Sequence, residues 1–405
     1  MLQALPFLIS ALTSPADAAV THFVDEGSGD ALEIATSLRS ALGPRAALDA
    51  LVAHYPDDTR LLLTTTTTPR LERLRVLLDR TAAQKDAVTS GLAWHTDLEA
   101  AKAEARARHL PILSLRLLGR LDEDLSCANS RFFRTLLYSD RTIQPVLAGY
   151  VLHWQAVRPA PRLTIDMGDG RAIETTITGN SAHMILDEGG AVVDVIPGLV
   201  SPGAFTEMLA SARAMWSEPR ANRAARHAIF RTGESRGWAR LASMSGARGK
   251  PLPVVGGSSK TPLAIDAGPI AMTKSMPEMP VVRSITPIDV REVKADPFFD
   301  VAAEQLKGGV IFDDNARALV KRKLADAQSF DAVIERLQLS VAKDTVINRF
   351  VLHDAIRSWL ADGVTDARVI EARLYDELFL TPRADPWLGL VDAAAFTGVD
   401  RGGLR

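Results

Sequence analysis

Residues 94–118 read WHTDLEAAKAEARARHLPILSLRLL, and the pattern changes in the middle. Thr96 reads as a helix N-cap, with Asp97 and Glu99 in the first turn, where the helix dipole favours negative charge. Basic and acidic residues are interleaved through Arg108, as on a solvated helix face. Pro111 stops that pattern, and ILSLRLL follows as an apolar run of strand length. A helix that feeds a strand in this way sets the expectation for the middle of the chain.

Downstream the alternation continues. SCANSRFFRTLLYSDRTIQPVLAGY reads as a helix with a second segment near Pro145, and YVLHWQAV as the next strand. RLTIDMGDGRAIETTIT has two alternating stretches joined at Gly168-Asp169-Gly170, a hairpin pattern. AHMILDEGGAVVDVIPG is a second hairpin turning at Glu188-Gly189-Gly190, and SPGAFTEMLASARAMW closes the unit with a helix. Upstream, residues 1–90 read as mainly helical, with a break at Gly43-Pro44. The β-branched stretch that ends at Pro69, with its five threonines 64–68, reads as a strand end without chemistry. Residues 218–295 read as a helix followed by an extended linker rich in Pro and Gly. Residues 296–405 turn helical again and finish in a tail that contains Trp387, read as an anchor on a domain surface.

The bulk numbers narrow the function classes. A chain of 405 residues predicts two or three domains, and 47% apolar with 24% charged residues is a globular composition. A net charge of −2 gives no concentrated positive field for nucleic acid. No apolar run reaches membrane-spanning length. One cysteine, Cys127, excludes an internal disulfide and a multi-cysteine zinc site. The eight histidines form no H-x-x-x-H or H-E-x-x-H pair, so neither metal nor cofactor is expected. The N-terminal stretch MLQALPFLISALTSPADA has no Lys or Arg ahead of its apolar run, and Pro6 interrupts that run. This favours a cytoplasmic protein with an amphipathic first helix; the other reading is export with cleavage near Ala18.

Over residues 93–215 the order helix, strand, helix, strand, hairpin and helix resembles the thioredoxin-like fold, which places a thioredoxin-like domain at 91–217. The run from Trp94 to Leu113 is similar to the approach to the first core strand in bacterial thioredoxin-like proteins. MILDEGGAVVDVIPGLVSPGAFTEML is similar to their later hairpin and last helix. The likeness covers roughly 120 of 405 residues. It implies an α/β thioredoxin-like central domain, a helix-flanked mixed sheet, between a mainly helical N-terminal region and an all-α C-terminal domain.

The resemblance puts Cys127 where the family carries its redox cysteine, at the start of the helix after the first strand. The family motif C-x-x-C is here Cys127-Ala128-Asn129-Ser130. A helix N-terminus stabilises a thiolate, and a second cysteine would resolve a mixed disulfide. Ser130 can only hydrogen-bond, so an external thiol would have to release any disulfide. The implied activity is thiol–disulfide exchange or peroxide reduction by one thiol, with a protein thiol or disulfide as partner. His183 is the candidate base, and Asn129, Asn180 and Ser181 are candidate substrate contacts. Two departures stand out. Ser181 occupies the position of the family's cis-proline, and the acids Asp122, Glu123 and Asp124 just before the cysteine oppose a thiolate.

Each of these residues has a plainer reading. Cys127 is a buried inert thiol, His183 a core strand histidine, and the asparagines serve turns or caps. The protein is then a non-catalytic thioredoxin-like scaffold for structure or protein interaction. Other motifs fail on spacing. Asp166–Gly170 lacks the distal glutamate of a calcium loop, Gly179–His183 is not G-x-S-x-G, and GGSSK at 256–260 is too short for a phosphate loop. Asp344, Asn348 and His353 read as a buried polar network that holds two helices together.

Overall fold

The computed structural model describes residues 15–64, 68–176, 179–253, 297–324, 326–379, 381 and 384–386. The expectations for the first fourteen residues, for most of the threonine run, for the linker beyond residue 253 and for Trp387 lie outside these residues.

The described residues begin with six α-helices: α1 Pro15–Thr21, which continues through a π-helical turn His22–Glu26, α2 Ala31–Leu42, α3 Pro44–His54, α4 Pro56–Leu61, α5 Pro69–Ala82 and α6 Ala87–Ser90. Pro44, Pro56 and Pro69 each start a helix, where the missing N–H would be unpaired anyway. The break expected at Gly43-Pro44 separates α2 from α3. Leu38, Leu48, Leu51, Leu74, Leu77 and Leu78 form the centre of a separate apolar cluster. Residues 61–64 are not a strand. Leu63 and Thr64 N–H donate back to Arg60 and Leu61, because burying Leu62 outweighs the β-branched preference.

The middle of the chain builds α7 Leu98–Arg108 and β1 Ile112–Leu118. The N-cap of α7 is Asp97, one residue later than expected, and its carboxylate accepts from Ala100 N–H at 2.7 Å. Then come α8 Ala128–Phe132, which continues through a π-helical turn Phe133–Leu137, α9 Gln144–Leu147 and β2 Val151–Arg158. The hairpin β3 Arg162–Asp166 and β4 Ala172–Thr176 turns at Gly168–Gly170 and stands as its own two-stranded sheet. β5 Ala182–Leu186, β6 Val192–Pro197 and α10 Pro202–Trp216 complete the unit. The four-stranded sheet runs β2-β1-β5-β6, with β1 parallel to β2 and antiparallel to β5, and β5 antiparallel to β6.

Side chains alternate across a strand. Ser114 and Arg116 therefore share one face with their partners His153 and Gln155, while Leu113, Leu115 and Leu117 share the other with Trp154 and His183. All seven residues of β1 are buried, so both faces are covered.

After α11 Arg223–Met244 the chain continues with α12 Pro297–Leu306, α13 Asp314–Lys323, α14 Phe330–Val346, α15 His353–Ala361 and α16 Ala367–Arg373. These helices share one apolar core with the sheet, through Ile334, Ile356, Trp359, Ile370, Leu374 and Phe379. The polar network expected around Asn348 and His353 exists, but it ties helix to sheet. His353 Nε2 lies 2.8 Å from Asp194 Oδ1 on β6, and Arg357 Nη2 lies 3.3 Å from Oδ2. Burial works against the Asp194 anion, yet His353 and Arg357 hold its carboxyl far below the usual range. Asn348 Nδ2 donates to Leu199 O at 2.6 Å. Gly198 beside it has φ +62°, and a Cβ there would fall on the Asn348 amide, so two constraints select glycine. Among the described residues no helix is long and apolar enough to cross a membrane.

Candidate functional site

Cys127 stands at the N-cap of α8, at the end of a nine-residue gap after β1. Its N–H donates to Leu118 O at 3.1 Å, which folds the loop back onto the strand it left. The loop is held further by Arg134, a buried side chain whose Nη1 donates to Leu121 O at 3.1 Å and Glu123 O at 2.9 Å. The chain therefore presents Cys127 to the start of β5 from a rigid support.

Three of the expected residues gather on its sulfur. Ser181 Oγ is 2.8 Å away, Ser130 Oγ 3.5 Å and Asn180 O 4.0 Å. The Ser130 hydroxyl donates within 2.7 Å to Cys127 O or to Ser126 Oγ, and it accepts from the thiol. A serine with its proton committed elsewhere is an acceptor for S–H, the reverse of the expected donor to a thiolate. Ser181, in the position where the resemblance implied a proline, is the closer partner.

His183 goes elsewhere. Its Nε2 is 2.6 Å from the Tyr138 hydroxyl, and the ring packs against Phe133 and Phe205 at centroid distances of 4.5 and 4.9 Å. Burial pushes its pKa down to about 3, so the ring is neutral at physiological pH. Burial also raises the Tyr138 phenol well above its ordinary range. Among the described residues His183 makes no hydrogen bond to Cys127. Asn129, on the first turn of α8, is fully buried, and neither side-chain atom has a hydrogen-bond partner among those residues.

The acids ahead of the cysteine are neutralised locally. Asp122 accepts from Arg80 at 2.7 Å and from Arg120 at 2.9 Å. Burial tends to raise its carboxyl, and the two guanidiniums outweigh that and hold it below the usual range. Glu123 lies 3.5 Å from Arg120, and Asp124 lies 3.3 Å from Lys85.

The C-terminal segment closes the site. Beyond α16, a π-helical turn Leu374–Leu378 brings Tyr375, Phe379 and Thr381 over Asn180. The Tyr375 hydroxyl donates to Asn180 O at 3.2 Å, and Asn180 Nδ2 donates to Thr381 Oγ1 at 2.9 Å and Phe379 O at 3.4 Å. On another side, Arg131 donates to Thr176 Oγ1 at 2.9 Å, and that hydroxyl donates to Ser126 O at 3.2 Å. Cys127, Asn129, Ser130, Asn180, Ser181 and His183 are all 0% exposed. Comparison with family models, with curated proteins and with solved structures returned no match.

Tyr138, Tyr375, Phe379 and Thr381 were missed in the sequence. One signal was available for the first. Tyr138 lies eleven residues after Cys127, about three helical turns at 3.6 residues each, and so falls on the same side of the helical segment. The other three lie some 250 residues from the cysteine, and no local pattern connects them. Chemically, the arrangement holds a fully buried thiol among hydroxyls. Among the described residues no group of three or more His, Cys, Asp or Glu could hold a metal ion.

Proposed function

We propose that this chain is a thioredoxin-like scaffold whose one-cysteine position has become a packing site, and whose central unit serves to seat its own C-terminal helices. Support for the thioredoxin-like reading comes from the strand order β2-β1-β5-β6 with one parallel and two antiparallel pairings. A cysteine at the head of the helix after the first strand, facing the residue before β5, adds to it.

The observation that carries the scaffold reading is the occupation of Asn180. Its backbone carbonyl and side-chain amide lie beside Cys127, where an incoming chain would have to bond, and Tyr375, Phe379 and Thr381 already hold them. A thiol reached only by removing three internal hydrogen bonds is a poor nucleophile for an external disulfide, because exchange needs access as well as thiolate. His183, neutral and committed to Tyr138, offers no base at the sulfur.

The test is turnover. With dithiothreitol as reductant and insulin or hydrogen peroxide as substrate, the full-length protein is expected to add nothing to the uncatalysed rate. A rate that disappears in Cys127→Ala overturns the scaffold reading. The second reading keeps thiol chemistry, released when the C-terminal segment lifts. The Ser181 hydroxyl 2.8 Å from the sulfur favours it, since that hydroxyl can donate to a thiolate. A Cys127-dependent rate in Tyr375→Ala but not in the unchanged protein selects that second reading.

A further inference from the structure

The opposite face of the sheet is built differently. Arg116 rises from the middle of β1 on the side away from His183, and it is only 3% exposed. Its Nε lies 2.9 Å from Glu371 Oε2 on α16, a side chain itself 9% exposed. Neither Nε nor Nη1 of Arg116 has a hydrogen bond among the described residues, so Glu371 balances its charge by proximity alone. A buried guanidinium N–H left without an acceptor costs about 1–3 kcal/mol, so its persistence calls for an explanation.

The surroundings supply one. Arg116 forms the floor of a cleft of about 780 Å3 between α7, the turn of the β5–β6 hairpin and the start of α16. That volume lies within the range of small-molecule sites, about 300–1,000 Å3. Around the floor stand Lys102, Arg220 and Arg368, with Gln155 beside them. Lys102 is paired at 2.8 Å with Glu99, which is 74% exposed, so the pair is screened by water and weak. Its side chain lies across Gly190, where φ is +92° and a Cβ would sit 2.6 Å from Lys102 Cε; glycine is what lets the lysine lie there. Arg220 and Arg368 make no ion pair among the described residues. The acids of the cleft are engaged. Glu371 faces Arg116, and the Asp366 carboxylate caps α16 by accepting from Arg368 and Val369 N–H at 2.8 and 3.1 Å.

We propose that this cleft binds a small metabolite through a phosphate or carboxylate group, which the Arg116 guanidinium receives from below while Lys102, Arg220 and Arg368 flank it. The planar guanidinium fork matches either oxyanion, and burial of one donor makes the contact stronger than a surface pairing. Cys127 does not line this cleft, so the inference stands whether or not the thiol is closed.

The experiment is calorimetric titration of the full-length protein at low ionic strength with three probes: inorganic phosphate, pyrophosphate and succinate. Saturable binding of at least one, with Kd below about 1 mM, is expected. Preference for the phosphates over succinate identifies a phosphorylated ligand, and the reverse a dicarboxylate. The exposed pair Arg220→Ala and Arg368→Ala should weaken binding about tenfold or more without lowering the melting temperature of the free protein. The charge-balanced pair Arg116→Met and Glu371→Gln should abolish it. No saturable binding of any probe up to about 10 mM overturns the proposal, as does binding that both double variants retain in full.

Discussion

Leu115 and Arg116 are neighbours on one strand, and they face the two sides of one sheet, of which one is sealed around Cys127 and the other borders an open cleft. The Leu115 side carries Cys127 against serine hydroxyls and Tyr138 against His183 within an aromatic layer, with the Asp194–His353–Arg357 cluster at the β6 edge of the same face. The Arg116 side carries a buried ion pair and the Ser114–His153 pair, with oxygen and ring nitrogen 2.7 Å apart, next to a cleft open to solvent. Neutral groups can be closed off by a protein segment at modest cost. Ions in the interior need either an exact partner or a route to water. The cysteine motif, although it is the most recognisable feature in the sequence, lies on the closed side.

The comparison is broken most forcefully at Arg116. Arg116→Met alone should cost about 3–5 kcal/mol in urea unfolding, because the buried Glu371 loses the cation that faces it. Adding Glu371→Gln should recover most of that, to within about 1 kcal/mol of the unchanged protein. Leu115→Ala on the closed side should cost about 2–5 kcal/mol with no rescue at Glu371, since what it loses is packing. If both strand variants respond equally to Glu371→Gln, the two faces are not energetically distinct.

Proton linkage gives the next largest effect. Burial first, with Arg116 and His95 adding to it, pushes His153 down to about 3; burial alone does the same for His183. Between about pH 6.5 and 3 the unfolded chain protonates both rings and the folded chain does not. Stability is therefore fully present above about pH 6.5 and falls as pH drops, by about 1.4 kcal/mol per unit for each histidine. Asp79, in the N-terminal helices, opposes this. Burial and the nearby Asp86 raise it to about 7, so its contribution is lost as pH rises from about 4 to 7. The net slope over pH 4–6.5 should be near that of one histidine. His183→Leu should flatten it and Asp79→Asn should steepen it, as read from urea midpoints across that range.

The smallest effect on stability is at the closure. Tyr375→Phe removes one hydrogen bond to Asn180 O and should cost about 0.5–1.5 kcal/mol. It should nevertheless speed alkylation of Cys127 in the native protein, since local opening governs access. An unchanged alkylation rate would place the closure elsewhere.

Much of the architecture was legible because it is written in local periods. The apolar run of β1, the glycine turns of both hairpins and the proline starts of α3 and α5 each signal themselves over a few residues. Cys127, Ser130, Asn180 and Ser181 could be brought together because a helix start and a strand start were both readable. His183 could not be placed correctly. Whether a strand histidine turns to a sulfur or to a phenol depends on which of Phe133, Tyr138 and Phe205 reaches it, and those lie on other elements. The lid of Tyr375, Phe379 and Thr381 was illegible for the same reason at greater range. So was Arg116, which stands in an otherwise apolar strand and finds its partner about 250 residues later.

Cys127 is closed by its own chain, and alkylation of the native protein reads that closure. With iodoacetamide at pH 7–8 and increasing urea, labelling should be negligible without denaturant and rise in step with the opening of the C-terminal segment or of the whole fold. Complete labelling of the native protein within minutes in the absence of urea would contradict it.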